Sequence, residues 1–456
     1  MYGKVLVANR GEIAVRVIRA CHELGVAAVA VYSDADRDAL HVRMADQAES
    51  IGPAPASQSY LNVPAILAAA ARTHADAIHP GYGFLAENPH FAAVCRTWGL
   101  DFIGPEPETI AQMGSKTAAR QRMAQVGVPV VPGTPGACDE PQALAAAADI
   151  GYPVLVKASA GGGGRGLRVA RSPQDLRQAF AAAAREAAAA FGSAELYVER
   201  LLERPRHVEF QILADRHGSV VHLFERDSSI QRRRQKILEE ALAPTLTPEL
   251  RAQMAQAAIA VAQAVHYVGA GTVEFLVDER GRFYFIEMNT RIQVEHPTTE
   301  MVTGIDLVKA QIRVAAGEPL GLRQADVAPH GWAVECRINA EDPGNRFSPS
   351  PGTVTAWDPP SGPWVRVDNG IYAGYTVPAV YDSLLCKVIV WGRDRREAVA
   401  RMGAALADFG AEGVHTTLTL HRRLLADPDF VAGRYHTGWL EENVARLQGE
   451  PAARRA

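Results

Sequence analysis

The chain has 456 residues, with 47 Lys and Arg against 51 Asp and Glu, so its formal net charge is −4. This length suggests roughly three domains, and 48% hydrophobic residues excludes wholesale disorder. The weakly acidic balance argues against a general nucleic-acid or membrane-surface binder. No stretch approaches the ~20 apolar residues of a membrane span, and the N-terminus lacks the apolar core of a secretory signal.

The cysteines form neither a C-x-x-C pair nor a compact cluster with histidine. They are Cys21, Cys95, Cys138, Cys336 and Cys386. A zinc site or a disulfide framework is therefore disfavoured. We predict reduced thiols and a cytoplasmic protein.

The first predicted unit, about 1–112, alternates short apolar strands with amphipathic helices. The strands are expected at 5–8, 26–32 and 76–79, and the helices at 13–24 and 60–72. Short loops between alternating strands and helices predict an α/β fold, with a doubly wound parallel sheet covered by helices on both faces.

A central unit is predicted at 113–333, and its small Gly-rich part, about 131–203, is expected to be a mobile lid. The lid helices are expected near 141–149 and 173–191, and its strands at 153–157, 166–170 and 195–199. Antiparallel strands at 207–213 and 220–225, a helix at 248–266, and a hairpin of 273–277 with 282–287 are expected next. A mixed α+β unit follows at 334–446, with a strand at 382–391, a helix at 395–408, and a loose tail at 447–456.

A glycine-rich loop directly follows one predicted lid strand. The segment 154–166 reads VLVKASAGGGGRG. Successive glycine N–H groups can surround a phosphate, and Lys157 and Arg165 add positive charge. Phosphate contact is favoured over a flexible hinge, although the spacing is not that of a P-loop. Lys116 in GSKT, taken alone, is interpreted as a surface lysine.

Two acidic side chains lie on the predicted hairpin, and an amide side chain comes just after it. If Val277 and Arg282 flank the turn, Glu274 lies opposite Phe285, and Glu287 is its diagonal neighbour on the same face. Together with the Asn289 oxygen, these two carboxylates would suit Mg²⁺, although a solvated polar face is the alternative.

Two further polar segments could act on an anionic substrate. In the segment 289–297, NTRIQVEHP, Arg291 could stabilise an oxyanion and Glu295 could be a general base, but a loop with a surface ion pair is the alternative. The run 231–236, QRRRQK, holds four cations, and its alternatives are a solvated face, a nucleic-acid patch or an anion site. The acidic net charge disfavours nucleic acid.

These segments together resemble the biotin carboxylases, the ATP-grasp subunits of acetyl-CoA carboxylase and related biotin-dependent enzymes. The resemblance covers nearly the whole chain. It rests on VANRGEIA (7–14), HPGYGFLAE (79–87), the glycine loop, RHVE (206–209), 285–297, ECRINAED (335–342) and PSPG (349–352). It implies that an ATP-grasp core follows the N-terminal α/β domain in the chain and is itself followed by a C-terminal domain specific to the family.

The resemblance also implies a role for each matching residue. ATP contacts are implied for Lys116, Lys157, Gly163, Gly164, Glu199, Arg200, Leu202, His207, Gln231, Leu276, Glu274 and Glu287. Ligands of Mg²⁺ or Mn²⁺ are implied for Glu274, Glu287 and Asn289. Bicarbonate contacts are implied for Lys236, Arg291, Gln293, Val294 and Glu295, and biotin contacts for Arg337 and Tyr82. The catalytic set is Lys236, Arg291, Glu295 and Arg337.

A few positions depart from the family pattern. Arg234 stands where histidine or asparagine is usual near the nucleotide sugar, and Leu167 replaces a common methionine near adenine. Cys386 stands where a small residue is usual, and we expect a free buried thiol there.

The implied activity is carboxylation of biotin on a carrier protein, with ATP and bicarbonate as substrates and carboxyphosphate as intermediate. The chain has no Met-Lys-Met biotin-attachment segment, so separate carrier and carboxyltransferase subunits are the expected partners, and a homodimer is expected. Length and the early motif favour a free-standing subunit over an excised domain. Acetyl-CoA is the expected final acceptor, ahead of propionyl-CoA and other acyl-CoAs. The alternatives are a different ATP-grasp ligase and a non-catalytic nucleotide-binding subunit.

Overall fold

The first unit is a parallel sheet with helices on both faces, as the sequence predicts. In the computed structural model, which describes residues 1–159 and 167–449, its five strands have the order β3-β2-β1-β4-β5. The elements are β1 (Lys4–Val7), α1 (Gly11–Glu23), β2 (Ala27–Ser33), α2 (Leu40–Met44), β3 (Gln47–Gly52), α3 (Val63–Thr73), β4 (Ala77–His79), α4 (Pro89–Thr97) and β5 (Asp101–Phe102). Ile13 of α1 packs with Val5, whereas Ile66 of α3 and Phe91 of α4 pack with Leu6, so alternate residues of β1 serve opposite cores.

Two helices lead from this unit to a small three-stranded sheet. The elements are α5 (Pro107–Gly114), α6 (Lys116–Gln125), α7 (Glu140–Ile150), β6 (Val154–Ala158), β7 (Arg168–Ala170), α8 (Pro173–Phe191) and β8 (Leu196–Arg200). The strand order is β7-β6-β8, and Val154, Val156 and Leu176 share a separate small core. The predicted phosphate residues Gly163 and Gly164 lie outside the described residues.

An antiparallel sheet of eight strands forms the middle of the molecule. Its order is β13-β12-β9-β10-β11-β14-β21-β19. The elements up to β14 are β9 (Arg206–Ala214), β10 (Val220–Arg232), β11 (Gln235–Ala241), α9 (Pro248–Ala264), β12 (Gly269–Val277), β13 (Phe283–Asn289), α10 (His296–Thr303), α11 (Leu307–Ala315) and β14 (Trp332–Asn339). The predicted antiparallel pairing of β9 with β10 and the predicted β12–β13 hairpin are both confirmed.

The C-terminal part adds two strands to this sheet and surrounds them with short pairs and helices. The elements are β15 (Glu341–Asp342), β16 (Ser348–Pro349), β17 (Gly352–Thr353), β18 (Ala356–Asp358), β19 (Val365–Asn369), β20 (Thr376–Val377), β21 (Leu384–Gly392), α12 (Arg395–Asp408), β22 (Gly410–Glu412), α13 (Leu418–Leu425), α14 (Pro428–Val431) and α15 (Trp439–Gln448). Because β14 pairs with β11, one sheet crosses the predicted boundary at 333 and 334. The division into domains stays a prediction.

All five cysteines lie within the described residues as free thiols, and Cys386 is fully buried, as expected. Within residues 1–159 and 167–449, no helix is both long and apolar enough to cross a membrane.

Candidate active site

A cleft of about 1350 Å³ brings together side chains from all the units described above. Sixteen of the residues predicted for the site line it. They are Tyr82, Lys116, Lys157, Leu202, His207, Gln231, Lys236, Glu274, Leu276, Glu287, Asn289, Arg291, Gln293, Val294, Glu295 and Arg337. Residues separated by more than 200 positions in the chain therefore meet at one surface, and the N-terminal and C-terminal parts both contribute.

The ammonium group of Lys236 is the centre of this cluster. It donates to Oε2 of Glu209 at 2.5 Å, to Oε1 of Glu274 at 2.9 Å and to Oε1 of Glu295 at 2.6 Å. Burial alone would lower the pKa of Lys236, but these three carboxylates outweigh burial and raise it. Lys236 is therefore a cation held in place by three anions.

The carboxylate of Glu295 lies between two cations. Its second oxygen, Oε2, accepts from Arg337 Nη2 at 2.9 Å, and Arg337 Nε also donates to Glu239 at 2.7 Å. Burial would raise the pKa of Glu295, but Lys236 and then Arg337 outweigh burial and lower it. Glu295 is thus ionised at neutral pH and able to accept a proton. Burial raises the pKa of Glu239 to about 7 against the opposing charge of Arg337.

The register of the β12–β13 hairpin differs from the sequence prediction. Val277 pairs with Phe283 and Phe275 with Phe285, and a bulge then places Glu287 directly opposite Glu274. The predicted pairing of Glu274 with Phe285 is therefore wrong, and so is the diagonal relation between the two glutamates. An extra residue in one strand advances its register by one position.

The donor atoms around this hairpin fit a hard divalent cation. Two paired carboxylates, Glu274 and Glu287, and the amide oxygen of Asn289 further along β13 are the hard oxygen donors that Mg²⁺ prefers. Asn289 donates to Glu274 Oε1 at 2.9 Å, and Lys116 forms an ion pair with Glu287. Lys116 is therefore part of the cleft. The interpretation of Lys116 as a surface lysine, which was based on the GSKT segment alone, is wrong.

A second arrangement of possible ligands lies beside it. Among the described residues, His207, Glu209 and Glu274 bring one ligand atom each within 4.8 Å of one another. Burial would lower the pKa of His207, but Glu274 and Glu209 outweigh burial and raise it to about 9. Because Mg²⁺ takes oxygen ligands, the imidazole of His207 fits a hydrogen-bonding role better than a metal-binding one.

The residues predicted to hold the nucleotide have different surroundings. Lys157 lines the cleft and forms an ion pair with Glu199, which is buried behind it, whereas Arg200 is exposed at the end of β8. The side-chain amide of Gln231 lies 3.1 Å from Nδ1 of His207.

The segment after β13 supplies the other polar walls. Arg291 donates to Glu87 at 3.0 Å and to Asn289 at 2.9 Å, and Gln293 donates to Glu274 at 2.7 Å. Tyr82 also lines the cleft and donates its hydroxyl to Glu12.

The sequence did not indicate a role for several charged residues that contact the residues lining the cleft. Glu209, Glu239, Glu87 and the buried Arg226 each bond to a predicted site residue. A place for Glu209 near the site could have been predicted from the sequence, because Glu209 lies two residues after His207 on the same face of a strand. The partners of Arg226 come from four separate segments, so no local pattern could indicate them.

Three family models match the chain in order. Residues 1–110 match the biotin carboxylase N-terminal domain, 115–323 match the ATP-binding domain of the carbamoyl-phosphate synthase L chain, and 335–442 match the biotin carboxylase C-terminal domain.

Known proteins resemble the chain over almost its full length. Biotin carboxylase from Nostoc is 54% identical over 97% of this chain and 99% of its own length. A pyruvate carboxylase subunit from Methanothermobacter thermautotrophicus is 52% identical over 99% of this chain and 92% of its own length. The crystal structure of a Hydrogenobacter thermophilus 2-oxoglutarate carboxylase biotin carboxylase domain dimer, with MgADP, ADP and bicarbonate, has a TM-score of 0.95, 50% identity, and covers 98% of this chain and 99% of that one.

The chain belongs to the biotin carboxylase family. These enzymes are ATP-grasp ligases that form a carbon–nitrogen bond and use ATP, Mg²⁺, bicarbonate and biotin. Because biotin carboxylase domains flank the ATP-binding domain, the chain does not belong to a different family of ATP-grasp ligases. The predicted ATP-grasp fold is confirmed.

Proposed function

We propose that this chain carboxylates biotin on a separate carrier protein, through carboxyphosphate, as a subunit of an acyl-CoA carboxylase. The observation that carries this proposal is the convergence of Lys236 and Arg337 on the carboxylate of Glu295 inside one cleft. An ionised base between two cations is suited to a reaction in which an anion loses a proton and attacks a phosphoryl group.

Binding of ATP uses the cations at the hairpin side of the cleft. Lys116 and Lys157, which pair here with Glu287 and Glu199, neutralise phosphate oxygens of the nucleotide. The glycine loop with Gly163 and Gly164, together with Leu202 and Leu276, completes the nucleotide site. Glu199, Arg200, His207 and Gln231 are further nucleotide contacts in this proposal.

Glu274, Glu287 and Asn289 would hold the divalent metal ion. A bound Mg²⁺ or Mn²⁺ neutralises developing charge on phosphate oxygens.

Bicarbonate is held and activated by the neighbouring residues. Arg291, Gln293 and Lys236 donate hydrogen bonds to its oxygens, beside the backbone of Val294. Glu295 accepts the bicarbonate proton, the resulting oxyanion attacks the γ-phosphorus of ATP, and the bond from that phosphorus to ADP breaks. The product is carboxyphosphate, which divides into CO₂ and phosphate.

Carboxylation of biotin follows at the Arg337 side. The released phosphate takes the proton of biotin N1′, and the N1′ electron pair forms the bond to CO₂. Arg337 stabilises the negative charge that develops on the ureido oxygen, and Tyr82 is a further biotin contact in this proposal.

The final acceptor is proposed as acetyl-CoA, which would connect the chain with fatty acid biosynthesis in the cytoplasm. Relatives named for pyruvate and 2-oxoglutarate carboxylation make those two acids the competing acceptors. Co-purification of the carrier and carboxyltransferase subunits, followed by assays with acyl-CoA thioesters, pyruvate and 2-oxoglutarate, distinguishes them. We propose a homodimer, because the neighbouring structure from Hydrogenobacter thermophilus is described as a dimer.

The general-base assignment is tested by Glu295→Gln. The amide keeps the size of the side chain but cannot accept the proton, so bicarbonate-dependent ATP cleavage should fall by about 10²-fold or more. Phosphate release with and without bicarbonate measures this effect. Exposed Glu203→Gln is the matched control and should retain the wild-type rate. Wild-type turnover by Glu295→Gln would contradict the assignment.

The metal assignment is tested by Glu287→Gln. Loss of one anionic ligand should raise the Mg²⁺ concentration at half-maximal rate by about tenfold. Titration of ATP cleavage against Mg²⁺ at saturating ATP measures the change. An unchanged Mg²⁺ dependence would remove Glu287 from the ligand set.

A further inference from the structure

A fully buried arginine lies behind the bicarbonate side of the cleft. Arg226 in β10 has a side-chain exposure of 0%, and it is among the largest fully buried side chains of the described residues. Burying a guanidinium is strongly unfavourable unless its charge and its N–H groups are satisfied. The partners of Arg226 therefore indicate what the buried charge is for.

All five N–H donors of this guanidinium have an acceptor. The bonds are Nε to Glu209 Oε1 at 2.8 Å, Nη1 to Gln211 Oε1 at 2.7 Å and Thr299 Oγ1 at 3.0 Å, and Nη2 to Thr272 Oγ1 at 3.1 Å and Gln293 Oε1 at 2.6 Å. A planar fork with five occupied positions fixes the direction of every partner.

The contact with Gln293 sets the orientation of its amide. Arginine only donates hydrogen bonds, so the amide atom that faces Arg226 has to be the carbonyl oxygen. The NH₂ group is then directed away from Arg226, and it donates to Glu274 Oε1 at 2.7 Å. Gln293 and Glu274 both line the cleft, so Arg226 determines that the group which Gln293 presents on the Glu274 side is a donor rather than an acceptor.

The contact with Glu209 acts on a second bicarbonate residue. One oxygen of Glu209 accepts from Arg226 and the other accepts from Lys236 at 2.5 Å. Glu209 therefore bridges two cations and holds the Lys236 ammonium beside Glu295.

We propose that Arg226 is a positioning residue that sets the affinity for bicarbonate by orienting Gln293 and by anchoring Lys236 through Glu209. This inference rests on the proposed function, since Gln293 and Lys236 are assigned to bicarbonate there. Arg226 lies behind these side chains and acts only through them.

The first test is Arg226→Lys, which keeps the charge but loses the fork. The KM for bicarbonate should rise roughly tenfold or more, while the KM for MgATP changes less than about twofold. Arg395→Lys is the matched control, because Arg395 is another largely buried guanidinium that bonds to Glu240 and to two backbone carbonyls of the α14 segment. Both variants should lower thermal stability, but only Arg226→Lys should change the KM for bicarbonate.

A double-mutant cycle tests the route through Gln293. Gln293→Met keeps the size of the side chain but removes its amide. The double variant Arg226→Lys/Gln293→Met should raise the KM for bicarbonate by a smaller factor than the product of the two single-variant factors. An increase equal to that product would overturn the proposed route. An equal rise of both KM values would show general disorder of the cleft and would also overturn it.

Thr272→Val gives a milder version of the test if the Arg226 variants do not fold. It removes one acceptor of Nη2, keeps the charge and the shape, and should raise the KM for bicarbonate about threefold. An unchanged KM for bicarbonate would reject the inference.

Wild-type ATP cleavage distinguishes the two levels of proposal. If the wild type shows no dependence on bicarbonate, the proposed function fails. If the dependence is present but the variants leave the KM for bicarbonate unchanged, only the role of Arg226 fails.

Discussion

Single charged residues in the cleft are stabilised by partners distant in the chain. Glu295, for example, was indicated by its motif, but its contacts with Lys236 and Arg337 come from β11 and β14. Residue types and spacing could predict the chemistry of the site. They could not predict Arg226, because its five partners are set by tertiary packing.

Glu335 on β14 is a buried acid whose protonation should affect the stability of the fold. Glu335 has 0% exposure, lies opposite Glu239 across the β11–β14 pair, and has no hydrogen-bond partner for either carboxylate oxygen among the described residues. Burial raises the pKa of Glu335 well above its ordinary value, against the opposing charges of Lys387 and Arg337 and with the help of Glu239 and Glu295. The folded chain therefore keeps this proton where the unfolded chain releases it.

The sign of the pH effect follows from this difference. Stability from Glu335 is complete below the ordinary glutamate pKa and is lost as pH rises towards the raised folded value. Neutral Glu335→Gln should be more stable than wild type at pH 7 by on the order of 1–2 kcal/mol, with the gain shrinking at acidic pH. Urea unfolding at several pH values measures this, and Glu203→Gln should show no such gain. A loss of stability at pH 7 would mean that Glu335 is ionised in the fold.

At the scale of elements, sequence periodicity predicted which segments form helices and strands better than it predicted the register in which the strands pair. The helix expected at 395–408 is α12 (Arg395–Asp408) with Asp394 as its N-cap. The β12–β13 hairpin was also expected, but its bulge moved Glu287 opposite Glu274. Hydrophobic alternation fixes which residues form a strand, whereas a bulge depends on backbone hydrogen bonding that the pattern does not record.

The β10–β11 turn gives a prediction at the element scale. Arg232 pairs with Gln235, so Arg233 and Arg234 form a two-residue loop, with φ values of 48° and 66°. Such a left-handed turn favours Gly or Asn, and a side chain there is strained. Arg233→Gly should raise the free energy of unfolding by about 0.5–1 kcal/mol. Gln235→Gly in the neighbouring strand should lower it, and equal effects of both variants in urea unfolding would contradict the argument.

At the scale of the whole molecule, α10 joins the parts that build the cleft. Glu300 of this helix pairs with Arg16 of α1 and with Arg366 of β19, and Lys387 of β21 pairs with Glu12 of α1. Glu295 is the N-cap residue of α10, directly before its first residue His296. The sequence predicted the parallel N-terminal sheet and the strand-rich middle. It did not predict one eight-stranded sheet across the expected boundary, because strand partners far apart in the chain leave no local pattern.

The most direct test of the central claim is to follow oxygen from bicarbonate labelled with oxygen-18 during ATP cleavage in the presence of free biotin. If bicarbonate attacks the γ-phosphorus, the bridging oxygen stays with phosphorus when carboxyphosphate breaks down. Mass spectrometry should therefore find one labelled oxygen in each released phosphate. Released phosphate without the label would contradict the account, because its fourth oxygen would then come from water, and water rather than bicarbonate would be the nucleophile.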